Sequence, residues 1–196
     1  EIDSVRVNAI QSLSAIGKVI FLTEAQLLVV LAMLDDANLD VRNASRKLLQ
    51  NIRLINASSL LTTTAALIAS LLKHFIEKDM ILPTYSALGR NHPHFVELLL
   101  EDLIKLDTRF LMREPRLDDI NYLCTAVLVL NAAKENANLI ELLPPFFNRH
   151  YLFLKRHYPL LVPDVPSLEA TISQRLLQQK SAISDHVLVG VASVSH

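Results

Sequence analysis

The sequence predicts an all-α fold in which antiparallel helix pairs stack in series, and three observations lead there. The first is a shortage of glycine: Gly17, Gly89 and Gly190 are the only three in 196 residues. Tight hairpins and phosphate-cradling loops need glycine at positive-φ positions, so a β-rich or nucleotide-binding fold is disfavoured. The second is the recurrence of apolar residues at steps of three and four, the period of one helix face. The third is a 51% hydrophobic fraction, slightly above the globular norm of about 45–50%. Such an excess suits helices that are buried on more than one side.

The elements follow in order. Val5, Ala9, Leu13 and Ile16 define one face of a helix over residues 4–16. Thr23-Glu24-Ala25-Gln26 reads as a capping box, opening a helix over 24–35 with Leu27, Leu28, Leu31 and Leu34 inward. Over 40–52, Val41, Ser45, Leu49 and Ile52 repeat the steps of the first helix. These two helices also begin alike, as Asp3-Ser4-Val5-Arg6 and Asp40-Val41-Arg42. A helix over 58–77 comes next. The stretch from Leu54 to Leu72 carries no charge and approaches bilayer-spanning length, but Asn56, Thr62, Thr63, Thr64 and Ser70 favour a buried solenoid helix. A looser third start follows, with Asp79 ahead of Ile81, Tyr85 and Leu88.

Pro93 suits the first turn of a helix ending near Lys105, with Phe95, Leu98, Leu99 and Leu103 as its core face. A polar connection over 107–117 leads to Asp118 and Asp119, placed where acids stabilise a helix N-terminus. Residues 122–133 then form an almost wholly apolar helix. Pro144-Pro145 breaks the pattern and starts a helix over 146–158, and Pro159, Pro163 and Pro166 mark a linker. A last polar helix over 167–180 precedes a tail expected to be poorly ordered. The domain reading is therefore a helical-repeat segment over 1–163 and a linker, short helix and flexible tail over 164–196. The chain opens on Glu1 rather than Met, which predicts a fragment of a longer protein.

Helix pairs recurring at about 36–40 residues are the mark of HEAT and armadillo arrays. Each pair has an apolar face it cannot bury alone, so neighbours must stack. The expected architecture is a HEAT/armadillo-like α-solenoid, and the Asp-(x)-Val-Arg start is a frequent HEAT feature.

Composition and motifs narrow the function classes. A formal net charge of −1, from 19 basic and 20 acidic residues, gives no bulk argument for nucleic acid or an anionic membrane as main partner. Cys124 is the single cysteine, so a disulfide framework or multi-thiolate site within the chain is excluded; inside its apolar helix it reads as an inert core residue. No nucleophile elbow, P-loop or dinucleotide fingerprint occurs. The histidines lack zinc-helix spacing, and His92 reads as a residue near a helix cap rather than a metal ligand. No catalytic residue, cofactor or metal is expected. The sequons at Asn43 and Asn56 fall on or beside stacked helices, where a glycan would block packing. Two basic groups remain: Arg42, Arg46 and Lys47 with Arg53, and Arg109, Arg113 and Arg116. Their plain reading is a solvated helix face and ion pairs with nearby acids. The sharper one is contact with a protein partner, an inositol phosphate or an RNA backbone, since arginine binds carboxylate and phosphate bidentately.

From Leu88 onward an ordered set of motifs appears. Leu88-Gly89-Arg90-Asn91-His92-Pro93 is followed by Glu114-Pro115-Arg116-Leu117-Asp118-Asp119-Ile120-Asn121-Tyr122. Then come Ala126-Val127-Leu128-Val129-Leu130-Asn131-Ala132-Ala133, Arg149-His150-Tyr151-Leu152-Phe153-Leu154 and Leu160-Leu161-Val162-Pro163. In this order they resemble the HEAT-repeat subunit 4 family of the Integrator complex. The resemblance implies a nuclear, non-catalytic scaffold within an assembly that trims small nuclear RNA 3′ ends and terminates promoter-proximal transcripts. It also implies as partners a pair of metallo-β-lactamase-type proteins, one an RNA endonuclease that holds the zinc. The family's C-terminal region, implicated in holding that pair, is expected to lie outside this sequence, so direct contact of this segment with the nuclease is not expected. Within the motif, Arg149, His150 and Tyr151 are expected to brace one repeat on the next, with Arg149 the candidate for partner contact. An importin-like or adaptor-type HEAT protein of nuclear transport or vesicle coats is the alternative.

Overall fold

The computed structural model describes residues 2–104 and 114–174. Among them the secondary structure is helical, with no sheet and one isolated parallel bridge between Phe21 and Arg53. The helices are α1 (Ile2–Ala15), α2 (Glu24–Ala32), α3 (Leu39–Asn51), α4 (Ala57–Lys73), α5 (Lys78–Asn91), α6 (Pro93–Leu98), α7 (Leu100–Ile104), α8 (Ile120–Glu135), α9 (Asn138–Leu142), α10 (Phe147–His157) and α11 (166–174). One layer stacks α1 on α3, α3 on α5 and α5 on α8; the other stacks α2 on α4 and α4 on α6. This is the repeating pair order of an α-solenoid. The tail, and residues 175–180 of the last expected helix, lie outside the described residues.

Local chemistry explains where the helices start. The Thr23 hydroxyl accepts from the Gln26 N–H at 3.3 Å while Gln26 Oε1 accepts from the Thr23 N–H at 2.9 Å, the reciprocal cap read in the sequence. Asn38, Asn56 and Asp119 cap α3, α4 and α8 with side-chain oxygens. Thus the sequon residue Asn56 is a helix cap, and Asn43 accepts from Arg46 at 2.9 Å. Pro93 and Pro166 stand in first turns, where the missing N–H removes no intrahelical bond.

One contiguous apolar core runs through the stack, from Ile10 to Ile172. It is densest around α8, where Cys124, Ala126, Val127, Leu128, Val129 and Leu130 are all fully enclosed. Gly89 makes that density possible. A Cβ there would stand 2.2 Å from the Leu128 carbonyl oxygen, so only glycine lets α5 and α8 approach this closely.

Three expectations need correction. On α1 the inward residues are Ile10, with Val7 and Leu13 partly covered, whereas Val5 is 67% and Ile16 51% exposed. The apolar stripe is real, but α3 covers only its other side. The helix after Pro93 breaks at Leu99, splitting into α6 and α7 and shifting the buried face to Val96, Leu100 and Ile104; Leu98 is exposed. In α2, Leu28 is exposed beside buried Leu27 and Leu31. By contrast Val41, Ser45, Leu49 and Ile52 on α3, and Ile81, Tyr85 and Leu88 on α5, are buried as their spacing requires.

Candidate interaction surface

The arginines of the repeated Asp-(x)-Val-Arg start are joints between repeats. Arg6 on α1 pairs with Asp36, in the turn ahead of α3, and with Asp3. One repeat on, Arg42 and Arg46 of α3 both pair with Glu77, which stands immediately before α5. Arg42 Nη1 also donates to the carbonyls of Asp36 at 2.6 Å and Ala37 at 3.0 Å. Burial pushes the Glu77 carboxyl up, but hydrogen bonds from Arg42 and Arg46 outweigh it and hold it down at about 2. The same Glu77 bond leads the causes that raise the Arg42 guanidinium above its ordinary value. Arg42 and Arg46 therefore do not belong to the surface expected from their spacing; Arg46 is 1% exposed. Lys47, on the outer side of the same helix, is exposed.

The remaining arginine candidates divide. Arg109 and Arg113 lie outside the described residues. Arg116 is exposed and forks onto Asp118, with Nε to Oδ1 at 2.9 Å. Arg149 is exposed and donates to Glu114 at 2.6 Å. Its neighbours brace the fold. The Tyr122 hydroxyl donates to His150 Nδ1 at 2.6 Å, and His150 Nε2 donates to Glu114 at 2.8 Å, linking α8, α10 and the segment before α8. The Tyr151 hydroxyl donates to Glu169 at 2.7 Å and accepts from the Val165 N–H at 3.1 Å, which holds the proline linker and α11 onto α10.

His92 is a joint as well. Its Nε2 accepts from the Leu54 N–H at 2.9 Å, so Nδ1 carries the proton and donates to the Leu88 carbonyl at 3.1 Å. Burial holds this imidazole below its ordinary pKa. Cys124 is a core thiol, pushed up to about 12 by burial. Among the described residues no three His, Cys, Asp or Glu side chains gather where a metal could sit. No described helix is long and apolar enough to cross a membrane.

A groove of about 970 Å³ opens where α1, α3 and α5 end on one edge of the stack. Lys18 follows α1, Arg53 follows α3 and Arg90 stands in the last turn of α5. All three are exposed, and none of their side chains makes a hydrogen bond or ion pair with another described residue. Asn51 and Asn91, the last residues of α3 and α5, each reach back one repeat. Asn51 Nδ2 donates to the Ser14 hydroxyl at 3.0 Å and Asn91 Nδ2 to the Gln50 carbonyl at 2.9 Å. Phe21 and Phe95 add aromatic surface, and Glu135 adds a carboxylate. Local reading of the sequence grouped Arg53 with Arg42 and Arg46 and passed over Lys18 and Arg90. The usable signal was cations recurring about one repeat apart at successive helix ends.

No protein-family model matches the chain. It is 39% identical over 164 residues to "Integrator complex subunit 4 homolog" of Dictyostelium discoideum, covering 84% of this chain and 13% of that protein. It is 36% identical over 166 residues to "Integrator complex subunit 4" of Drosophila melanogaster, covering 85% and 16%. Against the Homo sapiens protein of that name it is 32% identical over 163 residues, covering 83% and 17%. The chain thus spans less than a fifth of the length of the relatives it matches.

Proposed function

We propose that this chain, a member of the Integrator complex subunit 4 family over its matched segment, acts as a non-catalytic scaffold segment within an Integrator-like nuclear complex. The observation that carries the reading is the combination of that similarity with a stack of helix pairs whose polar joints hold repeats together. Stacked repeats present long surfaces to other proteins, and their stability is set by neighbours rather than by a bound ligand. The partners are other subunits of the assembly, including a metallo-β-lactamase-type nuclease pair. The work of the whole is small nuclear RNA 3′-end processing and transcription termination. The relatives' names support this over an importin-like or adaptor-type role. Of the sequence candidates, exposed Lys47, Arg116 and Arg149 remain partner contacts in this reading, along with Arg109 and Arg113. Arg116 and Arg149 would exchange their internal acids for a partner's carboxylate or phosphate.

The test is affinity purification of the tagged full-length parent protein from nuclear extract, followed by mass spectrometry. Recovery of metallo-β-lactamase-type subunits in near-equal amounts is expected. Their repeated absence, with transport or coat proteins in their place, would overturn the assignment.

A further inference from the structure

We propose that the groove at the ends of α1, α3 and α5 binds an extended acidic segment of a partner protein. Three of its lining residues, Lys18, Arg53 and Arg90, are cations contributed by successive repeats; they are exposed and form no ion pair among the described residues. Helix C-termini attract positive charge, which accounts for cations in this region. Among the described residues none of these three side chains donates to a helix carbonyl, however, so their hydrogen-bonding capacity is open to a ligand. Arg6, Arg42, Arg46, Lys73, Arg116, Arg149 and Lys155 pair with acids, while Lys47 and Arg156 stand singly on the surface; the groove differs in gathering three such cations along one lining.

The rest of the lining selects peptide over nucleic acid. Asn51 and Asn91 each donate one amide N–H to the preceding repeat, which orients the amides and leaves each Oδ1 to accept. Two oriented acceptors among the cations match a chain that alternates carboxylates with backbone N–H donors. Phosphate oxygens only accept, so a nucleic acid would have to meet these acceptors with 2′-hydroxyls or base edges rather than with its charged groups. Glu135 would repel a continuous polyanion that followed the groove to its α8 side, whereas a peptide can place an uncharged or basic residue there. Exposed Phe21 and half-buried Phe95, which stacks on His92 with ring centroids 5.9 Å apart, offer aromatic surface for an apolar side chain among the acids. The occupant is therefore an extended segment carrying several Asp or Glu residues and at least one apolar residue. This goes beyond the scaffold assignment, and its failure would leave co-purification of the nuclease pair untouched.

The experiment is fluorescence anisotropy on the full chain with a labelled peptide alternating Glu and Ser around one Phe. The same peptide with Lys for Glu, and an oligouridylate of equal length, form the comparison arms. The Glu peptide is expected to bind most tightly and to weaken with salt. The triple variant K18E/R53E/R90E should lose at least about tenfold in affinity, with K18Q/R53Q/R90Q intermediate and R156E, an exposed site on α10, unchanged. All four sites are on the surface, so folding is preserved and is checked by circular dichroism. Equal binding of the Lys peptide, undiminished binding in the triple variant, or tighter binding of oligouridylate would each overturn the proposal.

Discussion

Arg6 and Arg42 occupy the same place in two copies of one motif, yet their surroundings differ sharply. Arg6 stands on α1, which α3 covers from one side only, and its side chain is 40% exposed. Arg42 stands on α3 between α1 and α5, is 8% exposed, and shares Glu77 with a second buried arginine. Water screens the first pair and is excluded from the second, so nearly identical letters yield a surface contact in one repeat and a structural joint in the next. In a stacked fold, neighbours decide what a residue is worth.

Glu77→Gln should separate the two arginine sites most strongly. It leaves two guanidinium groups in the interior without a counter-charge, and a loss of about 3–5 kcal/mol is expected in denaturant unfolding. The pH dependence sharpens this. The folded carboxyl titrates at about 2, below its ordinary 4.5. Its contribution is therefore fully present above pH 4.5 and drains away as pH falls toward 2. The variant should lack that acid-side decline. Gly89→Ala comes next: a methyl group 2.2 Å from a backbone oxygen forces α5 from α8 and should cost about 3 kcal/mol, read as a lower midpoint.

His92→Phe keeps the ring but unpairs the buried Leu54 N–H, for an expected loss of about 1–3 kcal/mol. Because burial lowers the folded pKa of His92, its neutral form supports the fold above pH 6.5, and that support is lost as pH falls below it. A flatter stability profile between pH 7 and 5 in the variant would confirm the assignment. At the lightly covered end the effects shrink. Arg6→Ala should move the unfolding midpoint far less than Glu77→Gln. Leu28→Lys, on the open side of α2, should stay within about 0.5 kcal/mol of the parent.

The comparison also explains what could be read in the sequence. Helical spacing on α3 and α5 identified the buried residues because both helices have neighbours on each side. On α1 the same spacing marked Val5 and Ile16, which no described helix covers. The capping box at Thr23 was legible because every participant lies within four residues. The joints were not: Arg46 and Glu77, or Leu54 and His92, lie about one repeat apart, and only the fold brings them together. The break at Leu99 and the short helix α9 escaped for a related reason, since tertiary packing overrides weak local preference in helices this brief. The groove was the least legible feature. Its cations belong to three different repeats, and each looks ordinary in its own window.

Hydrogen exchange along the full chain tests most directly whether neighbours create the core. Backbone amides of α5 and α8 should exchange slowest, at rates set by global unfolding, with α3 close behind and α1 and α2 opening first. Uniform protection across α1 to α8, or faster exchange in α8 than in α1, would contradict this account.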